Sequence, residues 1–341
     1  MPIVDINGRE IKTYRPDERD LNWPIVTFLD SFFEDKKILM PDFTATFSEI
    51  EIAMSKFQVD CALLENASHA VDIKNSARFT APIYYLSSNM EYFYQEQDNV
   101  IFFPFWLFAL RIFPKNNIII GSVGDLERKY QFSTANRNLK FRPHRIYFLG
   151  KLLQKKYWNK ICSRMHKFDD FDCNYVDFHD VGLTEDEFKL VKDNYDKSPY
   201  WSEGEFNAVI DTNFEIFTDA YINLVTETYI YSDFLSEKSY KPLMSGQIPM
   251  IFGCCNIVRM YADLGFDMFY DIIDHNQYDG VHDWRQRINA MLECLDHVVT
   301  YPMYDIFTST MARRQKNLDF LYSEQLLNTI TAPLIKKINS L

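Results

Sequence analysis

The stretch from Ala220 to Gly253 limits the possible folds of this chain more than any other. Ala220–Thr226 (AYINLVT) is dense in apolar and β-branched residues, carries no charge, and reads as a buried strand. Ile248–Phe252 (IPMIF) reads as a second, opening with a Pro of the kind a strand tolerates at its start. Between them lie a short loop and a helical segment that closes on Gly246, which fits the left-handed position just past a helix end. Strand, loop, helix, strand is the grammar of a crossover between parallel neighbours, so the chain is expected to be α/β.

The start of that helix can be read two ways. With Ser236 as N-cap, Pro242 falls in the interior and removes a hydrogen bond. With Ser239 as N-cap, Pro242 lies in the tolerated first turn and Glu237-Lys238 belong to the loop above the sheet. The second is the expectation from sequence. It puts Thr226, Glu227, Ser236, Glu237 and Lys238 at the carboxyl edge, where open α/β sheets place their ligands. A Glu can accept both ribose hydroxyls and a Lys offers a point charge to a diphosphate. A surface ion pair or a capping carboxylate is the plainer alternative.

A second feature is electrostatic. The chain carries a net charge of −12, yet from Arg128 to Phe168 there is no Asp or Glu, and twelve cations lie in the same interval. Such a block is either a solvated face paired to acidic neighbours or a surface built to meet an anion. Within it, Tyr130–Ala135 is strand-prone, and Pro143 suits the first position of a helix running on through Arg145-Ile-Tyr-Phe-Leu-Gly. Asn136, Arg137, Arg142 and Arg145, with His144 beside them, then ring a helix N-terminus, where free amides and the dipole favour negative charge. Cations there are unfavourable unless something offsets them, and a phosphate would. His144 alone reads more readily as a supporting residue than as a ligand.

Composition sets the outer limits. A chain of 341 residues, 47% hydrophobic, has material for about two domains. The most apolar run, Val100–Phe113, is too short for a membrane span and is interrupted by Pro104 and Arg111. The N-terminus has no apolar leader core, so the expected location is the cytoplasm, or the host cytoplasm for a viral protein, with no membrane partner. Six scattered cysteines without a CxxC pair point to reduced thiols. Acidic charge argues against indiscriminate nucleic-acid coating. No P-loop, GxGxxG, GxSxG or HExxH occurs, which excludes most ATPases, dehydrogenases, serine hydrolases and zinc proteases. Asp170-Phe171-Asp172 has the DxD form of a metal-diphosphate site but lies in an acidic loop-like run, so no metal is expected.

The run Ser232–Gly253, with its Ser236-Glu237-Lys238 triplet and Pro249-Met-Ile-Phe-Gly end, resembles the donor-binding motif of the fucosyltransferase-like GT-B glycosyltransferases. Leu264-Gly265-Phe266-Asp267-Met268-Phe269 is similar to a tail found in viral and bacterial relatives. Phe132–Arg145 is similar to the asparagine-arginine strand that opens their donor domain. The likeness spans about residues 128–280. Ser236 replaces the usual Thr, and Lys241-Pro242 replaces a typical arginine-asparagine, so the sugar is left open. The resemblance implies two Rossmann-like domains facing across a cleft: 1–127 on the acceptor side, 128–310 binding the nucleotide sugar, and a C-terminal helix within 311–341 crossing back. It implies no tightly bound cofactor and a GDP- or UDP-sugar as donor substrate, with Glu237 on the ribose. Lys238 and an arginine of 137–145 would hold the diphosphate.

Residues 1–127 contain apolar runs at Lys37–Met40, Val59–Leu64, Pro82–Leu86 and Val100–Phe103, suited to a smaller α/β unit with a hinge at Gly121–Arg128. Glu65 and His69 follow one such strand and are the candidate bases for an acceptor hydroxyl, with a turn or capping role as the plainer reading of each. Trp284–Leu341 reads as two or three amphipathic helices. Three functions stay open: transfer to a glycan or related hydroxyl, transfer to a hydroxymethylated base in DNA as phage enzymes do, or a non-catalytic protein docking an anionic partner on the basic island.

Overall fold

The computed structural model describes residues 38–39, 54–55, 59–65, 81–87, 99–104, 107–108, 127–136, 142–165, 182–195, 215–231 and 235–341. The chain divides into two units, one of Met1–Phe113 with Glu324–Leu341 and the other of Pro114–Ser323. The fold is α/β, with one parallel four-stranded sheet in each unit.

The four apolar runs of the N-terminal half each become a strand: β1 (Ile38–Leu39), β2 (Cys61–Glu65), β3 (Ile83–Ser87) and β4 (Val100–Phe102). They pair in chain order, all parallel. β3 and β4 are buried throughout, as a parallel strand covered on both faces must be. The last helix of the chain, α9 (Glu324–Asn339), belongs to this unit and packs against β4. It buries Leu326, Ile330, Leu334 and Ile338, four apolar residues at i, i+4 spacing on one face. The segment 121–126 of the expected hinge lies outside the described residues.

In the larger unit the chain runs β5 (Tyr130–Asn136), α1 (Pro143–Leu153), β6 (Ile161–Met165), α2 (Glu185–Tyr195), α3 (Glu215–Thr218), β7 (Ala220–Thr226), α4 (Glu237–Met244) and β8 (Ile248–Phe252). The sheet order is β6-β5-β7-β8. The chain therefore steps outward from β5 to β6, then crosses back to the other side of β5 to lay down β7. Between β5 and β7 lies a topological switch point, the place where connections leave the sheet in opposite directions and open a crevice. β7 is buried along its whole length, while β8 is an edge strand whose Pro249 takes the second position. An edge spares Pro the ladder bond it cannot make.

α1 begins with Pro143 at its first position and carries no acidic residue in its first turn. Its inner face (Ile146, Phe148, Leu149, Leu152) is buried. Gly150 lets α2 and the residues just before it approach closely, since a β-carbon there would stand 3.0 Å from Leu183 and 3.5 Å from Val191 of α2. α4 ends in a Schellman motif: the amide of Gln247 donates to the Pro242 carbonyl at 2.8 Å, that of Gly246 to Leu243 at 3.4 Å, and Gly246 has φ of +65°. The glycine is thus at the left-handed position its sequence context suggested.

After β8 come α5 (Ile257–Asp263), α6 (Trp284–Val298), α7 (Met303–Ser309) and α8 (Met311–Leu321). Trp284–Leu341 thus holds four helices rather than two or three. Pro302 caps α7, Thr310 closes α7 and opens α8, and Ser323 precedes α9. The Leu264–Phe269 segment is pinned by α8. Arg313 pairs with Asp267 at 2.6 Å and Asp271 at 2.8 Å, and Asn317 exchanges two hydrogen bonds with the Asp267 backbone. Gly265, at φ +109°, faces Phe320 with a ring carbon 2.8 Å from where a β-carbon would stand.

Candidate functional site

The carboxyl ends of β5 and β7 meet at the switch point through side chains. Thr134 and Asn136 share one face of β5. The Thr134 hydroxyl donates to the Leu224 carbonyl at 2.9 Å, and the Asn136 amide donates to Thr134 Oγ1 at 3.1 Å. The Thr226 hydroxyl, at the end of β7, donates in turn to Asn136 Oδ1. All three residues are buried, and the seam they form closes the two strands just below the edge.

The first turn of α1 sits over that seam. Arg145 donates to the Thr226 carbonyl at 3.1 Å, and His144 Nε2 lies 2.9 Å from the Glu227 carbonyl. A carbonyl can only accept, so His144 carries its proton on Nε2. Burial drives the His144 pKa down to about 3, against the hydrogen bond to Glu227 and with help from Arg145, Arg142 and Arg287. The imidazole is therefore neutral at physiological pH. Arg145 thus donates one hydrogen bond to a strand-end carbonyl at the head of α1. Arg142, the cap residue, makes no capping bond through its side chain and stacks its guanidinium on Tyr229 at 4.9 Å. Tyr229 is 37% exposed and Tyr231 84%, so this rim is aromatic and open. Arg137 lies outside the described residues.

The rest of the basic island divides among unrelated partners. Arg128 is buried and donates to the Phe217 and Ala220 carbonyls, with its guanidinium 4.4 Å above Phe307. Lys151 pairs with Glu187 and Lys155 with Asp296, each at 2.6 Å. Lys156 and Lys160 are exposed. Arg128, Lys151 and Lys155 thus follow the plainer alternative, cations matched by carbonyl and acidic partners that lie far away in sequence.

Across the switch point, α4 starts at Ser236, not Ser239. Ser236 has extended backbone and its hydroxyl accepts from the Lys238 amide at 3.3 Å, so Pro242 lies inside the helix. Local propensity favoured the later start because it kept Pro242 harmless. A tertiary contact overrides it: buried Glu227 accepts from both the amide and the hydroxyl of Ser236 and from the hydroxyl of Ser239. Glu237 and Lys238 consequently lie in the first turn of α4, paired to each other at 2.6 Å. Burial acts to raise the Glu237 pKa, but Lys238 and Lys241 outweigh it and the net shift is downward, so the carboxylate is charged. Lys238 is the more open of the two, with about a third of its side chain exposed.

Two residues that local patterns do not single out belong to this edge. Arg287 of α6 is buried against the end of β8, 5.3 Å above the Phe252 ring, and donates to the Val281 carbonyl. Asp279 caps α5 from 21 residues downstream, accepting from the amides of Val258 and Arg259 at 3.0 Å each. Their only sequence signal is an Arg at an apolar position of a helix and an Asp beside Gly280.

Glu65 ends β2, with its backbone paired to Leu86, and its side chain lies outside the described residues, as do His69 and Asp170–Asp172. Among the described residues no group of His, Cys, Asp or Glu could hold a metal ion, and no helix is long and apolar enough to cross a membrane. Cys255 and Cys294 are free thiols.

No family model and no curated protein matches the chain. Among solved structures it is similar to a GtfA/B complex chain, at 10% identity and a TM-score of 0.40. That match covers 93% of this chain and 60% of the other, so the chain spans less than two thirds of that neighbour's length. It is similar to the alpha,alpha-trehalose 6-phosphate synthase of Burkholderia multivorans at 10% identity and TM-score 0.44, covering 94% and 74%. It is also similar to an alpha1,3-fucosyltransferase at 12% identity and TM-score 0.36, covering 84% and 68%.

Proposed function

We propose that this chain is a glycosyltransferase of the GT-B kind. It would move a sugar from a nucleotide-diphosphate sugar to an acceptor hydroxyl, with the donor seated at the carboxyl ends of β5 and β7. The observation that carries the reading is convergence. Residues from two segments ninety positions apart, Asn136–Arg145 and Thr226–Lys238, come together at the one place where an open parallel sheet forms a ligand crevice. The motif resemblance of Ser236-Glu237-Lys238 falls on that same edge.

In this reading Glu237 takes the ribose hydroxyls, and Lys238 and Arg142 face the diphosphate. Asn136, Thr226, His144 and Arg145 form the frame beneath them. The acceptor oxygen attacks the anomeric carbon as the bond from that carbon to the diphosphate oxygen breaks, and the nucleoside diphosphate leaves with the bonding pair. The cations offset the charge that develops on it, and a base takes the hydroxyl proton. Glu65 and His69 are the proposed bases, Arg137 a further diphosphate contact, and the glycan or other acceptor a proposal of the same standing.

A thermal-shift titration with GDP, UDP and dTDP tests this directly. A nucleotide at a hundred times its Kd should stabilise the folded chain by about 2.7 kcal/mol. Lys238→Ala should weaken that nucleotide about tenfold without changing the melting temperature of the free protein. No response to any of the three would overturn the reading.

A further inference from the structure

We infer that Glu227 is a positioning residue that sets the Glu237-Lys238 turn, resting on the donor-site reading for its consequence but not for its geometry. Glu227 is wholly buried directly after β7, and its amide donates to the Phe252 carbonyl at 2.8 Å, adding a rung to the β7–β8 ladder. Its carboxylate receives four donors. Oε1 takes the Ser236 amide at 3.2 Å and the Ser239 hydroxyl; Oε2 takes the Thr228 amide at 3.1 Å and the Ser236 hydroxyl. Its carbonyl accepts from His144 of α1. With both oxygens committed to the chain, Glu227 is placed to hold the site's frame.

The chain leads onward from there. Ser236, fixed by Glu227 at its amide and its hydroxyl, accepts from the Lys238 amide, and the Lys238 ammonium lies 3.4 Å from the same hydroxyl. α4 has little intrinsic reason to begin at Ser236. It is eight residues long, and Pro242 withholds the amide that would close on the Lys238 carbonyl. A buried acceptor with four donors supplies what local propensity lacks. A β-carbon at Gly253 would clash first with Ile257 and would also stand 3.2 Å from Glu227 Cβ, so glycine there leaves room for both.

Glu227→Gln separates this role from bulk packing. It keeps the shape of the side chain, but each carboxylate oxygen faces one backbone amide, so either orientation of the new NH2 confronts a donor that cannot rotate away. Hydrogen exchange should show faster exchange at the Ser236, Lys238 and Ser239 amides, with β5 and β7 still protected. The affinity for GDP or UDP, whichever the wild type binds, should fall about tenfold. In a Lys238→Ala background the same change should cost only about threefold, because the share of its effect that acts through Lys238 is gone while the share through Glu237 remains. Ser239→Ala removes one of the four bonds and should act in the same direction more weakly. Unchanged exchange across 236–239, or a full tenfold loss repeated in the Lys238→Ala background, would overturn the inference. A wild type that binds neither nucleotide would overturn the donor reading instead, with the exchange result still deciding the role of Glu227.

Discussion

Acidification from pH 7 to pH 5 should destabilise this protein by about 2–3 kcal/mol, chiefly through two buried histidines. His144 has its pKa lowered from 6.5 to about 3, first by burial and then by Arg145, Arg142 and Arg287. His275 is lowered from 6.5 to about 4 by burial, against its bond to the Met268 carbonyl and the charge of Asp274. Below pH 6.5 the unfolded chain takes up a proton at each that the folded chain refuses until pH 4 or 3, so stability falls through that window. At pH 5 each histidine contributes a loss of about 2 kcal/mol relative to pH 7. Asp279 works the other way. Burial raises its pKa from 3.8 to about 6, so its contribution is fully present below pH 3.8 and is lost as pH rises through 6. It returns about 1 kcal/mol on going from pH 7 to pH 5. Urea denaturation at the two pH values, followed by tryptophan fluorescence, measures the sum. His144→Gln keeps a side-chain donor for the Glu227 carbonyl and removes one titration, so its loss should shrink to under about 1 kcal/mol. An equal loss in wild type and variant, or a wild type indifferent to pH over this range, would refute the assignment of a buried neutral imidazole at the head of α1.

Three further outcomes follow from the fold. Gly246→Ala forces a β-carbon into a φ of +65° and should cost about 1 kcal/mol in chemical denaturation, with nucleotide affinity unchanged. Lys155→Ala breaks a half-exposed pair with Asp296 and should cost under about 1 kcal/mol. Glu187→Ala should cost more, about 1–2 kcal/mol, because it strands the amide of Thr184 together with Lys151 and Gln154.

Much of the candidate site's scaffold was legible because it is written in local chemistry. β-branched runs, Pro143 at a helix start and Gly246 at a helix end each act within a few residues of themselves, where sterics and backbone hydrogen bonding leave few alternatives. The four apolar runs of the N-terminal half became the four strands of one sheet for the same reason. What stayed hidden was held by partners distant in sequence. Charge alone could not say that Lys151 meets Glu187, Lys155 meets Asp296 and Arg145 meets a strand-end carbonyl, leaving Arg142 and Lys238 at the open rim.

The start of α4 shows the division most clearly. By itself the sequence determined that a helix lies between β7 and β8, that it ends at Gly246, and that Glu237-Lys238 stand at the carboxyl edge of a parallel sheet. Only the tertiary structure decided that it starts at Ser236, because a carboxylate buried nine residues upstream collects the donors of that turn, and such a contact outweighs one backbone bond lost to proline.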